Sequence, residues 1–300
     1  MHADRTALSI LACGEVLWDL FPAGARFGGA PANFACHAAL LGGDVSILTA
    51  IGDDSRGQEA LAILKGFKID TSLVQSVTAR PTGSVGVELD KGGKPSFDIH
   101  PNSAWDHIAW TRDIESRIAA TDAIYFGTLG QRGTESRATI LRAVSMAKER
   151  GIPRILDINL RRPFFDNPTI CNSIALASVL KLSDDELPTV TAACGVPDFS
   201  QTSETLQTLR AQFGLDAVVM TRGADGATLV TADAILEHPG IPTDVRDTVG
   251  AGDSFTAAFT IGMLRGAPLD EILSDACRVA SAVCAHEGAV PMESGRAGGI

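Results

Sequence analysis

Asp247-Thr248-Val249-Gly250-Ala251-Gly252-Asp253-Ser254-Phe255 runs directly into an apolar stretch that continues to Leu264. Gly250, Ala251 and Gly252 keep side-chain bulk off the backbone where a helix begins. Free N–H groups and the positive end of the helix dipole can then face an anion. Asp253 falls in the first turn of that helix. A carboxylate there serves as a helix cap or, beside an anion cradle, as a base. In the second role it takes a proton from a hydroxyl while the cradle carries charge developing on a transferred phosphoryl group. Two rival glycine motifs do not fit. No Gly-x-x-x-x-Gly-Lys-Ser/Thr is present, and Phe255 stands where a dinucleotide-binding loop needs its third glycine.

The rest of the chain supplies a frame for such a helix. Leu8 to Ala12, Val45 to Ile51, Ala123 to Phe126, Arg154 to Ile158, Val179 to Leu182 and Ala217 to Thr221 are short apolar runs that predict strands. Helices are predicted over Pro31 to Leu41, Arg56 to Lys65, Thr134 to Arg150 and Ser203 to Phe213. Two apolar helices, Gly252 to Leu264 and Leu269 to His286, close the chain. Strands alternating with helices predict an α/β fold with a mostly parallel central sheet covered on both faces. Ligands in such folds sit at the carboxyl ends of the strands. Thr82 to His100 breaks the rhythm: Ser84 to Leu89 alternates, Asp90-Lys91-Gly92-Gly93 turns, and Ser96 to Ile99 returns. That pattern predicts a hairpin, either a flap over a site or an edge ornament.

A second glycine stretch lies near the start: Phe27-Gly28-Gly29-Ala30-Pro31-Ala32-Asn33-Phe34-Ala35. Its glycines let backbone approach a ligand, and Pro31 suits the first helical turn. Asn33 offers a donor and an acceptor together, as vicinal hydroxyls require. Asp19, after the first strand, can accept hydrogen bonds from sugar hydroxyls. A turn or a helix cap explains each of these residues taken singly.

The composition narrows the partners. The chain has 300 residues, 45% of them hydrophobic, with 25 Lys+Arg against 36 Asp+Glu and a net charge of −11. Such a balance argues against nucleic acid or an anionic membrane as partner, though not against a small anion held by local backbone donors. No apolar run reaches the roughly 20 residues of a membrane span, and the first residues lack the pattern of a secretory signal. Six scattered cysteines without a Cys-x-x-Cys pair read as free thiols in a reducing cytoplasm.

Taken together, the two glycine stretches resemble those of the ribokinase-like (PfkB) carbohydrate kinases, and the likeness extends over essentially the whole chain. It includes Gly14-Glu15 with Asp19, Ile51-Gly52-Asp53-Asp54 with Gly57, Asp157-Ile158-Asn159-Leu160-Arg161, and Thr221-Arg222-Gly223-Ala224-Asp225-Gly226. The resemblance implies a three-layer αβα sandwich forming one domain over residues 1–300, with a small β lid from about 15–27 and 82–104. It implies Asp253 as the general base and the N–H groups of Gly250, Ala251, Gly252 and Asp253 as the anion hole. Asp19, Gly28, Gly29 and Asn33 would hold the sugar. Thr221, Gly223 and Gly226 would border ATP. Mg²⁺ is implied with the ATP, and K⁺ on backbone carbonyls near Asp247 and Val249. The Thr82 to His100 hairpin becomes the lid, and the protein a monomer or a homodimer built through lid strands.

Two positions depart from the family pattern. Its adenine-side Asn-x-x-Glu appears as Ser183-Asp184-Asp185-Glu186, so Glu186 can act on Mg²⁺ through water while Ser183 replaces the Asn. Phe126-Gly127-Thr128-Leu129 lacks the Glu by which ribokinase-type members meet the sugar. Members acting on phosphorylated sugars commonly carry Lys where Ala30 stands, so an uncharged sugar is favoured. The wording around Ala30 most resembles fructokinases, whereas Asp157 to Arg161 is shared with 2-keto-3-deoxygluconate kinases. Arg161 or Arg162 would meet ATP phosphates or a substrate carboxylate. Trp105, Trp110 and Phe97 would stack on a sugar or pack beneath the lid. The expected function is an ATP-dependent fructokinase. The alternatives are 2-keto-3-deoxygluconate kinase or ribokinase-type activity and, from another class, a nucleotide- and sugar-binding sensor without turnover.

Overall fold

The apolar strand runs are buried on both faces because they form the middle layer of a sandwich. The computed structural model describes residues 8–22, 24–89, 95–197 and 199–291. Its larger sheet contains β1 (Ser9–Cys13), β4 (Asp44–Gly52), β5 (Val74–Val77), β8 (Ala123–Gly127), β9 (Arg154–Asp157), β10 (Val179–Ser183), β11 (Ala217–Thr221), β12 (Ala227–Thr231) and β13 (Ile235–His238). The order is β13-β12-β11-β10-β9-β8-β1-β4-β5. Pairings from β5 to β11 are parallel, and β12 and β13 add an antiparallel edge. The carboxyl ends of β1, β8, β9, β10 and β11 therefore open on one edge of the molecule.

Helices cover both faces. Tyr125, Ile155, Val179 and Val219 turn one way, into a core shared with α1 (Ala30–Leu40), α2 (Ser55–Gly66), α8 (Ala251–Leu264) and α9 (Leu269–Cys284). Their neighbours Ile124, Leu156, Leu180 and Val218 turn the other way, against α3 (Arg112–Ala119), α4 (Thr134–Glu149), α5 (Asn167–Leu176), α6 (Leu187–Cys194) and α7 (Thr202–Phe213). This is period-two alternation between two buried faces. The strands and helices expected from sequence lie within two residues of these bounds. Three strands (β5, β12, β13) and three helices (α3, α5, α6) lie between the expected ones.

A second sheet stands apart from the first. It has the order β3-β2-β6-β7, from β2 (Leu17–Phe21), β3 (Gly24–Gly28), β6 (Gly83–Leu89) and β7 (Pro95–Ile99). The Thr82 to His100 segment is a hairpin, with Val85 opposite Ile99; its turn at Asp90 to Gly93 lies outside the described residues.

Asp54 joins the two sheets. Its carboxylate caps α2 by accepting from the Gly57 N–H at 2.8 Å, and it also accepts from the Thr82 N–H at 2.8 Å and hydroxyl at 2.7 Å. Thr82 leads into β6, so one side chain fixes both a helix start and the entry to the small sheet. A Cβ at Gly52 would lie 2.6 Å from Arg80 O and Thr82 N, which explains the glycine there. Burial opposes ionisation of Asp54, but the Thr82 and Gly57 hydrogen bonds outweigh it and hold the carboxyl below its ordinary value. This stabilisation is present above the ordinary carboxylate range and is lost as pH falls through the lowered value. Asp54→Ala is expected to cost about 1–3 kcal/mol, read as a lower urea midpoint at unchanged m-value. An unchanged midpoint would show that the bridge carries no stability.

Candidate active site

Two helices begin at the same place. Asn33, in the first turn of α1, donates from Nδ2 to Oδ2 of Asp253, in the first turn of α8, at 2.8 Å. Both side chains are buried, at 4% and 9% exposure. Among the described residues the other Asn33 atom, Oδ1, has no partner, so a buried acceptor stands next to the carboxylate. The approach depends on Gly250, which holds a left-handed φ of 79° at the start of α8; a Cβ there would lie 2.5 Å from Ala289 O. The segment after α9 closes over this turn. Gly288 N–H donates to Asp247 Oδ2 at 3.0 Å, and Ala289 O lies 2.8 Å from His37 Nε2.

The electrostatics are set by carboxylates in poor contact with water. Burial raises the pKa of Asp253, against the Asn33 hydrogen bond and the charges of Lys181 and Arg161. Burial also pushes Glu15 up to about 7, with the Asp253 carboxylate adding to the push. Glu15 is 2% exposed, and among the described residues its Oε2 has no partner. Asp19 is pushed up to about 6, first by burial; Arg161 opposes, while Asp247 and Asp253 reinforce. Asp157 is likewise pushed up to about 6 by burial, although the Lys181 ammonium lies 3.2 Å from its Oδ1. Lys181 and Asp157 face each other across β10 and β9. Lys181 belongs to none of the motifs expected to form the site. Its signal was a lysine inside the otherwise apolar run Val179-Leu180-Lys181-Leu182.

The remaining site residues fall into two groups. Asp19, Gly28, Gly29, Asn33, Gly250, Ala251, Gly252 and Asp253 surround the α1–α8 junction: Asp19 pairs with Arg26 in the small sheet, and a Cβ on Gly28 would lie 2.9 Å from Asp19 Oδ2. Arg161 is exposed beyond β9, within electrostatic reach of Asp19, Glu15 and Asp253. Ser183, Thr221, Gly223 and Gly226 lie at the ends of β10 and β11. Gly223 has open space where a Cβ would be, whereas one on Gly226 would press on His238 O and Gly240 N. The Ser183 hydroxyl donates to Glu186 at 3.0 Å, and Glu186 also accepts from the N–H groups of Ser183 and Leu160.

Asp247 accepts from Arg26 of β3, Val249 N–H and Gly288 N–H. Among the described residues the Asp247 and Val249 carbonyls accept no hydrogen bond. Trp105 is fully buried, with the Arg132 guanidinium 3.9 Å from its ring centre, so it packs beneath the small sheet. Trp110 is half-buried against Arg142. Two of the scattered cysteines come together as free thiols, with the Cys171 and Cys194 sulfurs in hydrogen-bond contact at 3.4 Å.

The family model described as pfkB family carbohydrate kinase matches residues 22–294. The chain belongs to that family. Among curated relatives, the aminoimidazole riboside kinase of Salmonella typhimurium is 29% identical over 253 residues, 82% of this kinase and 76% of the relative. A fructokinase of Klebsiella pneumoniae is 27% identical over 260 residues, 83% and 82% of the two chains. The solved fructokinase of Vibrio cholerae, in its form with fructose, ADP and calcium ion, superimposes with a TM-score of 0.81 at 23% identity and 96% coverage of each chain. That likeness shows the ribokinase-like fold. No helix among the kinase's described residues is long and apolar enough to cross a membrane.

The raised carboxyls give a definite pH dependence of stability. The folded kinase holds protons on Glu15, Asp19 and Asp157 that the unfolded chain has released, so stability falls as pH rises from about 4 toward 7. Glu15 alone, moving from 4.5 to about 7, accounts for on the order of 3 kcal/mol of this change at 1.36 kcal/mol per pH unit. Without ligands, the melting temperature is expected to fall between about pH 5 and pH 8. Glu15→Gln should flatten that fall and raise the value at the upper pH. An unchanged slope in the variant would contradict the assignment.

Proposed function

We propose that this carbohydrate kinase transfers the γ-phosphoryl group of ATP to a hydroxyl of a small uncharged monosaccharide, with fructose the leading substrate. The observation that carries the reading is the Asn33–Asp253 hydrogen bond beside the start of α8, with Asn33 Oδ1 left without a partner among the described residues. Asp253 takes the proton of the attacking hydroxyl. The N–H groups of Gly250, Gly252 and Asp253 stabilise charge on the moving phosphoryl group, whereas the Ala251 N–H, expected in the same cradle, donates to the Thr248 carbonyl at 3.3 Å. Asn33 Oδ1, Asp19, Gly28, Gly29 and Arg161 hold the sugar, and the β2-β3-β6-β7 sheet closes over it as a lid. Ser183, Thr221, Gly223 and Gly226 border the nucleotide.

Mg²⁺ fits this donor set, because such ions are commonly held by one or two carboxylates, waters and substrate phosphates. Glu186 is the carboxylate on that side, and the ion would offset phosphate charge. K⁺ fits the unspent carbonyls of Asp247 and Val249. Ala30 offers no cation for a sugar phosphate. A second reading, a ribosyl substrate such as aminoimidazole riboside, is supported by the 29% identical relative.

The discriminating experiment is ADP release with Mg-ATP over fructose, ribose, 2-keto-3-deoxygluconate, aminoimidazole riboside and fructose 6-phosphate. Turnover of fructose is expected. Turnover of fructose 6-phosphate alone would refute the argument from Ala30, and binding without any ADP release would favour a sensor. Asp253→Asn is expected to lower kcat by about 10²–10⁴ while ATP binding persists. Because burial raises the Asp253 pKa, the acid limb of kcat/KM in the parent enzyme should lie above the ordinary carboxylate range, with activity falling as pH decreases through it. A variant retaining near-full turnover would sink the assignment of the base.

A further inference from the structure

Lys181 brings a buried cation to the start of α8. It leaves β10 on the α8 face of the sheet and is 8% exposed. Its Nζ lies 2.9 Å from where a Cβ on Gly252 would stand, so glycine at that position leaves room for the ammonium against the first turn of the helix. An ammonium has three N–H donors. Among the described residues Lys181 makes one hydrogen bond, 3.2 Å to Asp157 Oδ1. The other Asp157 oxygen lies 3.2 Å from Thr256 Oγ1, whose single proton is shared between that carboxylate and Gly252 O at 2.8 Å. Asp157 thus fixes the lysine with one oxygen and reaches α8 with the other, while two buried N–H donors remain without acceptors. Burying donors unmatched is costly unless a ligand supplies the acceptors.

We infer that Lys181 is a ligand of the phosphoryl group seated at the α8 N-terminus, giving its free N–H donors to non-bridging phosphate oxygens. The inference rests on the kinase reading for the identity of the anion. It adds a side-chain cation to a cradle otherwise made of backbone N–H groups. A lysine serving only as counter-ion to Asp157 would leave phosphate recognition untouched.

The test uses the full chain and two probes: a non-hydrolysable ATP analogue with Mg²⁺, and adenosine. Lys181→Met is expected to weaken the analogue about 10- to 100-fold, the size of a lost charge-assisted hydrogen bond, and to leave adenosine unchanged. In turnover it should lower kcat with little change in the sugar KM, and added methylammonium should restore part of the loss. Equal affinity of parent and variant for the analogue would overturn the inference, as would parallel weakening of analogue and adenosine. Where Lys181→Met does not fold, Lys181→Gln keeps a donor to Asp157 without the charge, and the same two affinities decide. The binding arms stand whether or not any sugar turns over, so failure of the kinase reading and failure of this assignment give different results.

Discussion

The contact on which the site depends is a single buried hydrogen bond between the first turns of two helices. Asn33 and Asp253 are 220 residues apart in sequence and 2.8 Å apart in space. An amide beside a carboxylate must present its NH₂, which leaves its carbonyl oxygen as an open acceptor. The bond exists because α1 and α8 pack side by side on one face of the sheet. Gly250 supplies the left-handed turn that lets α8 begin there, and Ala289 closes against that turn. In the proposed mechanism one contact orients the base, marks where the sugar hydroxyl arrives and sets that hydroxyl beside the helix N-terminus.

The second constraint is charge. A chain of net charge −11 gathers Glu15, Asp19, Asp157, Glu186 and Asp253 where a triphosphate is proposed to bind. The neighbouring cations that lower Asp253 are Lys181 and Arg161. Burial raises Glu15, Asp19, Asp157 and Asp253, so the unliganded site carries less negative charge than a count of its acids suggests. What is proposed to attract the anion is local: backbone N–H groups at the start of α8 and the Lys181 ammonium against Gly252. Global acidity repels a polyanion more than it repels a phosphate that brings its own divalent cation.

Much of this was legible in the sequence, for identifiable reasons. Strand runs such as Ala217 to Thr221 and helices such as Thr134 to Glu149 carry strong periodic patterns. Glycine stretches leave a signature because backbone approach tolerates few other residues. Less was legible where the pattern is weak. The helices Asn167–Leu176 and Leu187–Cys194 are short and carry proline in their first turn, and Ile235–His238 is a half-exposed edge strand. The Lys181–Asp157 pair depends on the register of β9 against β10, which sequence does not contain. Gly226 read as a nucleotide contact; its tight approach to His238 and Gly240 gives it a packing reason as well. Trp105 read equally as a sugar platform or a buried prop, and only its burial under Arg132 separates the two.

In the proposed reaction a phosphoryl group passes from ATP to a carbon-bound hydroxyl beside Asp253. Phosphorus NMR of the enzyme with Mg-ATP and fructose, or another sugar it turns over, reads that transfer directly. A phosphate monoester signal should grow in step with ADP, with no matching inorganic phosphate. ADP accumulating with inorganic phosphate alone would mean that water, rather than a sugar hydroxyl, occupies the place beside Asp253, and would contradict the account.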